Sequence, residues 1–117
     1  MLALWSANLE KGRDAEYKNW VLKHVDEFKE FYAPHGWKLK GVYGSTVGLG
    51  RYDVTWVWEF SKFGDIDAIY RLSDPKMDRL QDEENDFYVP GSINTIILRE
   101  LRDWNVSTRA KPKKSKR

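Results

Sequence analysis

Two histidines, no cysteine and six tryptophans set the chemistry open to this 117-residue chain. His24 falls among Tyr17, Val21 and Phe28 at three- and four-residue spacing, which places an imidazole on the apolar stripe of a helix. A neutral imidazole there can take a proton from a bound phenol or enol, so His24 is the candidate acid/base. The same spacing also suits a core histidine bonded to a tyrosine or a backbone carbonyl. A buried polar group with no partner costs roughly 1 to 3 kcal/mol, so one or the other is required. His35 lies in the turn Pro34-His35-Gly36 and is expected in solvent.

Trp56 and Trp58 alternate along Tyr52-Asp53-Val54-Thr55-Trp56-Val57-Trp58-Glu59-Phe60, so both point to one face of a strand with Val54 and Phe60. Such rings either fill a core or form the wall for a planar ligand, and each buries some 150 to 250 Å². Asp53 and Glu59 fall on the opposite face. They read as rim residues pairing with Lys40 or Arg99, because two carboxylates alone do not define an acid/base pair. The absence of cysteine removes disulfides, thiol nucleophiles and thiolate zinc sites. Two histidines give no multi-histidine metal site within one chain, so no metal is expected. Gly48-Leu49-Gly50 has no helix after it and cannot cradle a phosphate, and no Ser-His-Asp order or P-loop is visible.

The elements that must hold these residues follow from periodicity. Residues 1–7 read as a strand, and a helix begins near Asp14, the expected N-cap. It carries Tyr17, Trp20, Val21, His24, Val25, Phe28, Phe31 and Tyr32 inward and ends at Pro34 and Gly36. Residues 37–46 form a second strand with Trp37, Leu39, Gly41, Tyr43 and Ser45 expected on one face. A short loop at 48–51 leads into the tryptophan strand. A helical segment from Ser61 is broken at Asp74-Pro75, and its second piece turns Met77, Leu80 and Phe87 inward with Asp78, Arg79, Asp82, Glu83 and Glu84 as a charged face. Residues 92–101 form the last strand, with Ile93, Thr95, Ile97 and Arg99 opposite Asn94, Ile96, Leu98 and Glu100.

The order strand, helix, strand, strand, helix, strand is the ferredoxin-like βαββαβ sandwich of the α+β class. An antiparallel four-stranded sheet is expected with two helical segments on one face, its first and third strands central and, in this reading, parallel to each other. The other face, with Ile96, Leu98, Val57, Thr55 and either Leu4 or Trp5, is semi-apolar and reads as an interaction surface.

Size and charge bound the rest. Residues 1–106 are expected to form one domain, and 107–117 a basic, disordered tail. Six cations after Thr108 leave 14 basic against 18 acidic residues in 1–108, a net charge of −4. An acidic body repels nucleic acid, which is expected as a partner only through the tail. No apolar run is long enough for a membrane, and the opening Met1-Leu2-Ala3-Leu4-Trp5 lacks a basic leader, so the expected location is cytoplasmic.

In its helix end Tyr32-Ala33-Pro34-His35-Gly36-Trp37-Lys38-Leu39-Lys40-Gly41-Val42-Tyr43, its strand Val54-Thr55-Trp56-Val57-Trp58-Glu59-Phe60 and its broken helix at Ser73-Asp74-Pro75, the chain resembles the dimeric α/β barrel superfamily. Within it, the resemblance is to the NIPSNAP-like and antibiotic-biosynthesis-monooxygenase-like branches, over nearly everything to about Trp104. The resemblance implies a homodimer joined through the helix-free sheet face, and a cleft inside each protomer between sheet and helices. It implies a lining of Asn8, Trp56, Trp58, His24, Phe28 and Tyr70. Some relatives degrade haem with an asparagine on the first strand, a tryptophan on the third and a histidine on the second helix. Asn8 and Trp58 match, but residues 61–88 contain no histidine, which argues against haem ligation and leaves cofactor-independent oxygenation.

The leading expectation is a homodimeric protein binding a small hydrophobic or aromatic metabolite, with a cofactor-independent monooxygenase or isomerase as its enzymatic form. A non-enzymatic, stress-associated NIPSNAP-like binding or assembly protein is the alternative of the same fold. RNA binding is the alternative of another class, since domains with this strand order stack bases on aromatics of the first and third strands, here Trp5 and Trp56. The run Arg51-Tyr52-Asp53-Val54 does not fit that pattern, and Asp53 would repel phosphate.

Overall fold

The computed structural model describes residues 1–46 and 51–104. The expected loop at 48–50 and the basic tail lie outside the described residues. Strand β1 (Leu2–Ala7) leads to helix α1 (Asp14–Tyr32), then β2 (Lys38–Gly44), β3 (Val54–Glu59), α2 (Gly64–Tyr70), α3 (Pro75–Asn85) and β4 (Asn94–Leu98). The sheet order is β2-β3-β1-β4, and every neighbouring pair is antiparallel.

The two central strands, β1 and β3, therefore run antiparallel rather than parallel. The crossover through α1 returns the chain in the direction of β1, and the β2 to β3 connection reverses it, so β3 must oppose β1. In that register Trp5 lies across from Trp56 and Ala3 from Trp58, which puts Trp5 on the helix-covered face and Leu4 on the open one.

Local chemistry explains the helix limits. Asp14 and Glu16 sit in the first turn of α1, where carboxylates suit the positive end of the helix. The N-cap itself is Arg13 rather than Asp14, and its side chain makes no cap bond. Arg13 instead reaches Glu16 and Asp86 at 3.0 and 3.1 Å. A 3-10 turn over Ala33–His35 closes the helix, and Gly36 takes the left-handed conformation at φ 89° that ends it. The break at Asp74-Pro75 starts α3: Asp74 Oδ1 accepts the Lys76 N–H at 2.9 Å and Pro75 occupies the first helical position.

Strand β2 departs from simple alternation. A bulge between Leu39 and Gly41 shifts the register, so Leu39 pairs with Trp58 on the helix side while Gly41 and Tyr43 pair with Val57 and Thr55 on the open side. Leu39 and Tyr43, expected on one face, are thus on opposite faces.

The main core packs Tyr17, Val21 and Phe28 of α1 with Met77, Leu80, Phe87 and Tyr88 over Val54 and Trp56. A smaller cluster joins Ala3, Trp37 and Phe60, with the Trp37 and Phe60 rings stacked at 4.5 Å. Trp37 Nε1–H donates to the Asp65 carbonyl at 2.9 Å, so the ring is fixed at both ends. No described helix is long and apolar enough to cross a membrane.

Candidate functional site

Between the sheet and its helices lies a cavity of about 500 Å³. Its floor is the helix-side face of β3 and β1, with Trp56, Trp58, Trp5 and Ala3. Phe28 and Tyr32 of α1 close one side, and Ile66, Ile69 and Tyr70 of α2 another. Ile93, Thr95 and Ile97 complete the lining beside β4, where Ile93 is 45% and Ile97 37% exposed and the cavity meets solvent.

The walls are ordered by ring contacts. Trp56 and Trp58 lie nearly parallel, 11° apart, with centroids at 6.4 Å. Phe28 meets Trp56 edge-on at 5.2 Å, and Tyr32 meets Trp58 edge-on at 5.4 Å. Such geometry holds each indole in place without filling the space before it.

One ionisable carboxyl enters this apolar space. Glu84 of α3 lines the cavity and is only 7% exposed, although it follows Asp82 and Glu83 in what reads as a charged helix face. Its Oε2 accepts hydrogen bonds from the hydroxyls of Tyr88 and Tyr17. The two hydroxyl oxygens lie 2.7 Å apart, so their two protons are shared among these three contacts, with Tyr17 donating either to Glu84 or to Tyr88, and Trp56 Nε1–H donates to Tyr17 Oη at 3.0 Å. Oε1 bonds no described residue. Burial pushes the Glu84 carboxyl up to about 7 despite both tyrosine hydrogen bonds, which favour the ionised form. Burial and the nearby Glu84 charge push the Tyr17 and Tyr88 hydroxyls far above the usual phenol range, so both remain donors.

Of the residues expected to line a cleft, Phe28, Trp56, Trp58 and Tyr70 meet at this cavity, Tyr70 on its exposed rim. Asn8 and His24 are not part of its lining. Asn8 joins strand ends: its Oδ1 accepts the Asp53 N–H at 3.0 Å while its own N–H donates to Ser92 Oγ at 3.0 Å. His24 Nδ1 lies 2.6 Å from Glu27 Oε1 on the same helix, and Lys76 reaches the other Glu27 oxygen at 3.0 Å. The partner is therefore neither the tyrosine nor the backbone carbonyl expected of a core histidine. The His24 and Lys76 hydrogen bonds hold Glu27 below the usual carboxylate range.

Asp53 accepts the Leu9 N–H at 2.8 Å, and Glu59 meets Lys40 at 3.7 Å, which leaves both carboxylates in structural pairs. Among the described residues no group of acids and histidines could hold a metal ion. Trp5 and Trp56 both face the helices, and Trp56 is 3% exposed, so the pair cannot stack bases on the open sheet.

This is a ferredoxin-like α+β domain with an aromatic cavity on its helix side. No protein-family model and no curated protein matches the sequence. Solved structures share its fold. A NIPSNAP family protein of unknown function from Agrobacterium tumefaciens, in a structure at 1.50 Å, is 22% identical over 83% of this chain and 84% of its own, with a TM-score of 0.65. A second structure of that protein gives 18% identity over 86% and 94%, also at 0.65. An uncharacterised NIPSNAP domain protein from Burkholderia xenovorans gives 14% identity over 86% and 97%, at 0.61. The chain therefore shares the ferredoxin-like fold of these NIPSNAP structures.

Proposed function

We propose that the protein binds a small, largely apolar planar molecule in the cavity before Trp56 and Trp58, with Glu84 as its polar anchor. The observation carrying this is the combination of an open, ring-walled space with one carboxyl whose Oε1 bonds no described residue. Ligand sites typically pair such apolar walls with a few placed polar groups. The chemistry this arrangement suits is proton transfer. A carboxyl titrating near neutrality exists in both forms, so Glu84 rather than His24 is the group placed to accept a proton from an enolisable or phenolic guest. That is the first step of an isomerase or of a cofactor-independent monooxygenase.

The helix-free sheet face supports a homodimer. Tyr43, Ile96 and Leu98 are 57%, 46% and 44% exposed there, beside Leu4 and Val57. The polar groups at its centre, Ser6 and Thr55, bond each other at 2.9 Å, which leaves a surface with little to offer water. A second copy presenting the same apolar face covers it by two-fold symmetry.

Titration with 2-naphthol, followed by tryptophan emission, tests the binding reading. Saturable quenching is expected. Thr95→Trp, which places an indole in the mouth of the cavity, is expected to weaken it about tenfold or more. Quenching that never saturates, or that ignores the substitution, would contradict it.

A further inference from the structure

Building on the proposed binding site, the geometry points to a protonated amine as its ligand class: an arylalkyl ammonium whose ring lies against Trp56 and Trp58 and whose charged head meets Glu84 Oε1. Four observations converge on a cation. The lining contains one carboxyl and no lysine, arginine or histidine, so the ionised Glu84 has no counter-charge within the cavity. Its hydrogen bonds come from neutral tyrosine hydroxyls, both on Oε2. The walls are aromatic faces, whose negative quadrupoles attract an ammonium group and repel an anion. Finally, Gln81, Glu84 and Asn85 lie three and four residues apart on α3, and all line the cavity.

That last grouping matches the donor count of a primary ammonium. The Gln81 side-chain N–H donates to Tyr32 Oη at 2.8 Å, a bond that does not use the Gln81 side-chain oxygen. Asn85, whose backbone carbonyl already accepts the Tyr88 N–H at 3.1 Å, adds a side-chain oxygen, so these three lining residues carry acceptors enough for three N–H donors. A neutral guest of the same shape would fill the ring wall and leave Glu84 uncompensated, and a carboxylate guest would meet like charge.

The test is calorimetric titration of the full chain with 1-naphthylmethylamine, 1-naphthalenemethanol and 1-naphthoate at about pH 8, where Glu84 is ionised and the amine protonated. The amine is expected to bind about tenfold or more tighter than the alcohol, and the naphthoate weakest. The order is expected to survive high salt, because a buried charge is poorly screened, whereas attraction to surface acids is not. Glu84→Gln is expected to bring amine and alcohol to similar affinity, while Glu83→Gln, which removes a charge outside the cavity and keeps an acceptor oxygen for Trp20 Nε1–H, leaves the preference intact. An alcohol that binds wild type as tightly as the amine, or a preference that persists in Glu84→Gln, overturns the ammonium assignment and leaves the cavity as a binding site. The wild-type ranking decides the point even where a variant does not fold. If none of the three binds, the binding site itself falls, and this assignment with it.

Discussion

Glu84 is the residue on which most of the chemistry turns, and its burial has a measurable cost. Its folded pKa lies above the ordinary carboxylate value of 4.5, at about 7, so between those values the folded protein holds more protons than the unfolded chain. Stability from this group is fully present below about pH 4.5 and is lost as the pH rises through 7. Tyr17 from α1 and Tyr88 after α3 are the titratable groups bonded to it, and both stay protonated throughout. Glu84→Gln should therefore stabilise the protein relative to wild type at pH 8 by up to roughly 3 kcal/mol, with the difference vanishing near pH 4. Urea unfolding of both proteins across that range checks it, and a difference independent of pH would contradict the assignment. Its place was partly legible: Met77, Leu80, Glu84 and Phe87 recur at three- and four-residue spacing. With Asp82 and Glu83 beside it, composition made the residue look solvated, and periodicity cannot say which of three adjacent acids turns inward.

At the level of elements, the broken second helix matters because it shapes the cavity mouth. Asp74 and Pro75 start α3 cleanly after α2, and both pieces supply lining residues, Ile66, Ile69 and Tyr70 from α2 and Gln81, Glu84 and Asn85 from α3. Asp74→Ala should cost about 1 kcal/mol by removing the cap to Lys76 N–H, without changing which residues are helical. A melting curve with an unchanged folded circular dichroism spectrum would show this, and an unchanged midpoint would count against the cap. The order of elements and this break were readable from alternation, helix spacing and the Asp-Pro pair. The face of β2 beyond Leu39 was not, because a bulge inserts one residue and inverts every later side chain without a sequence signal of its own. His24 misled for a similar reason. Its position on the stripe is shared with Tyr17, Val21 and Phe28, but spacing does not fix where a side chain turns, and the imidazole runs along the helix to Glu27 instead of down onto the sheet.

For the whole molecule, the question is what covers the open face of the sheet. The proposed two-fold pairing through Leu4, Val57, Ile96 and Leu98 predicts a dimer in sedimentation equilibrium. Ile96→Glu should shift it to monomer by placing a charge at the seam, while the helix-side cavity still forms. A wild-type monomer at all concentrations would contradict the pairing.

The most direct test of the cavity reading is the indole N–H region of a ¹H–¹⁵N spectrum, recorded while 1-naphthylmethylamine is added. Trp56 and Trp58 line the cavity, and Trp20 lies outside it, bonded to Glu83 at 2.9 Å. Saturable shifts are expected at Trp56 and Trp58 with Trp20 unmoved. Shifts confined to Trp20 and the exposed Trp104, or none at all, would contradict a guest held against the sheet.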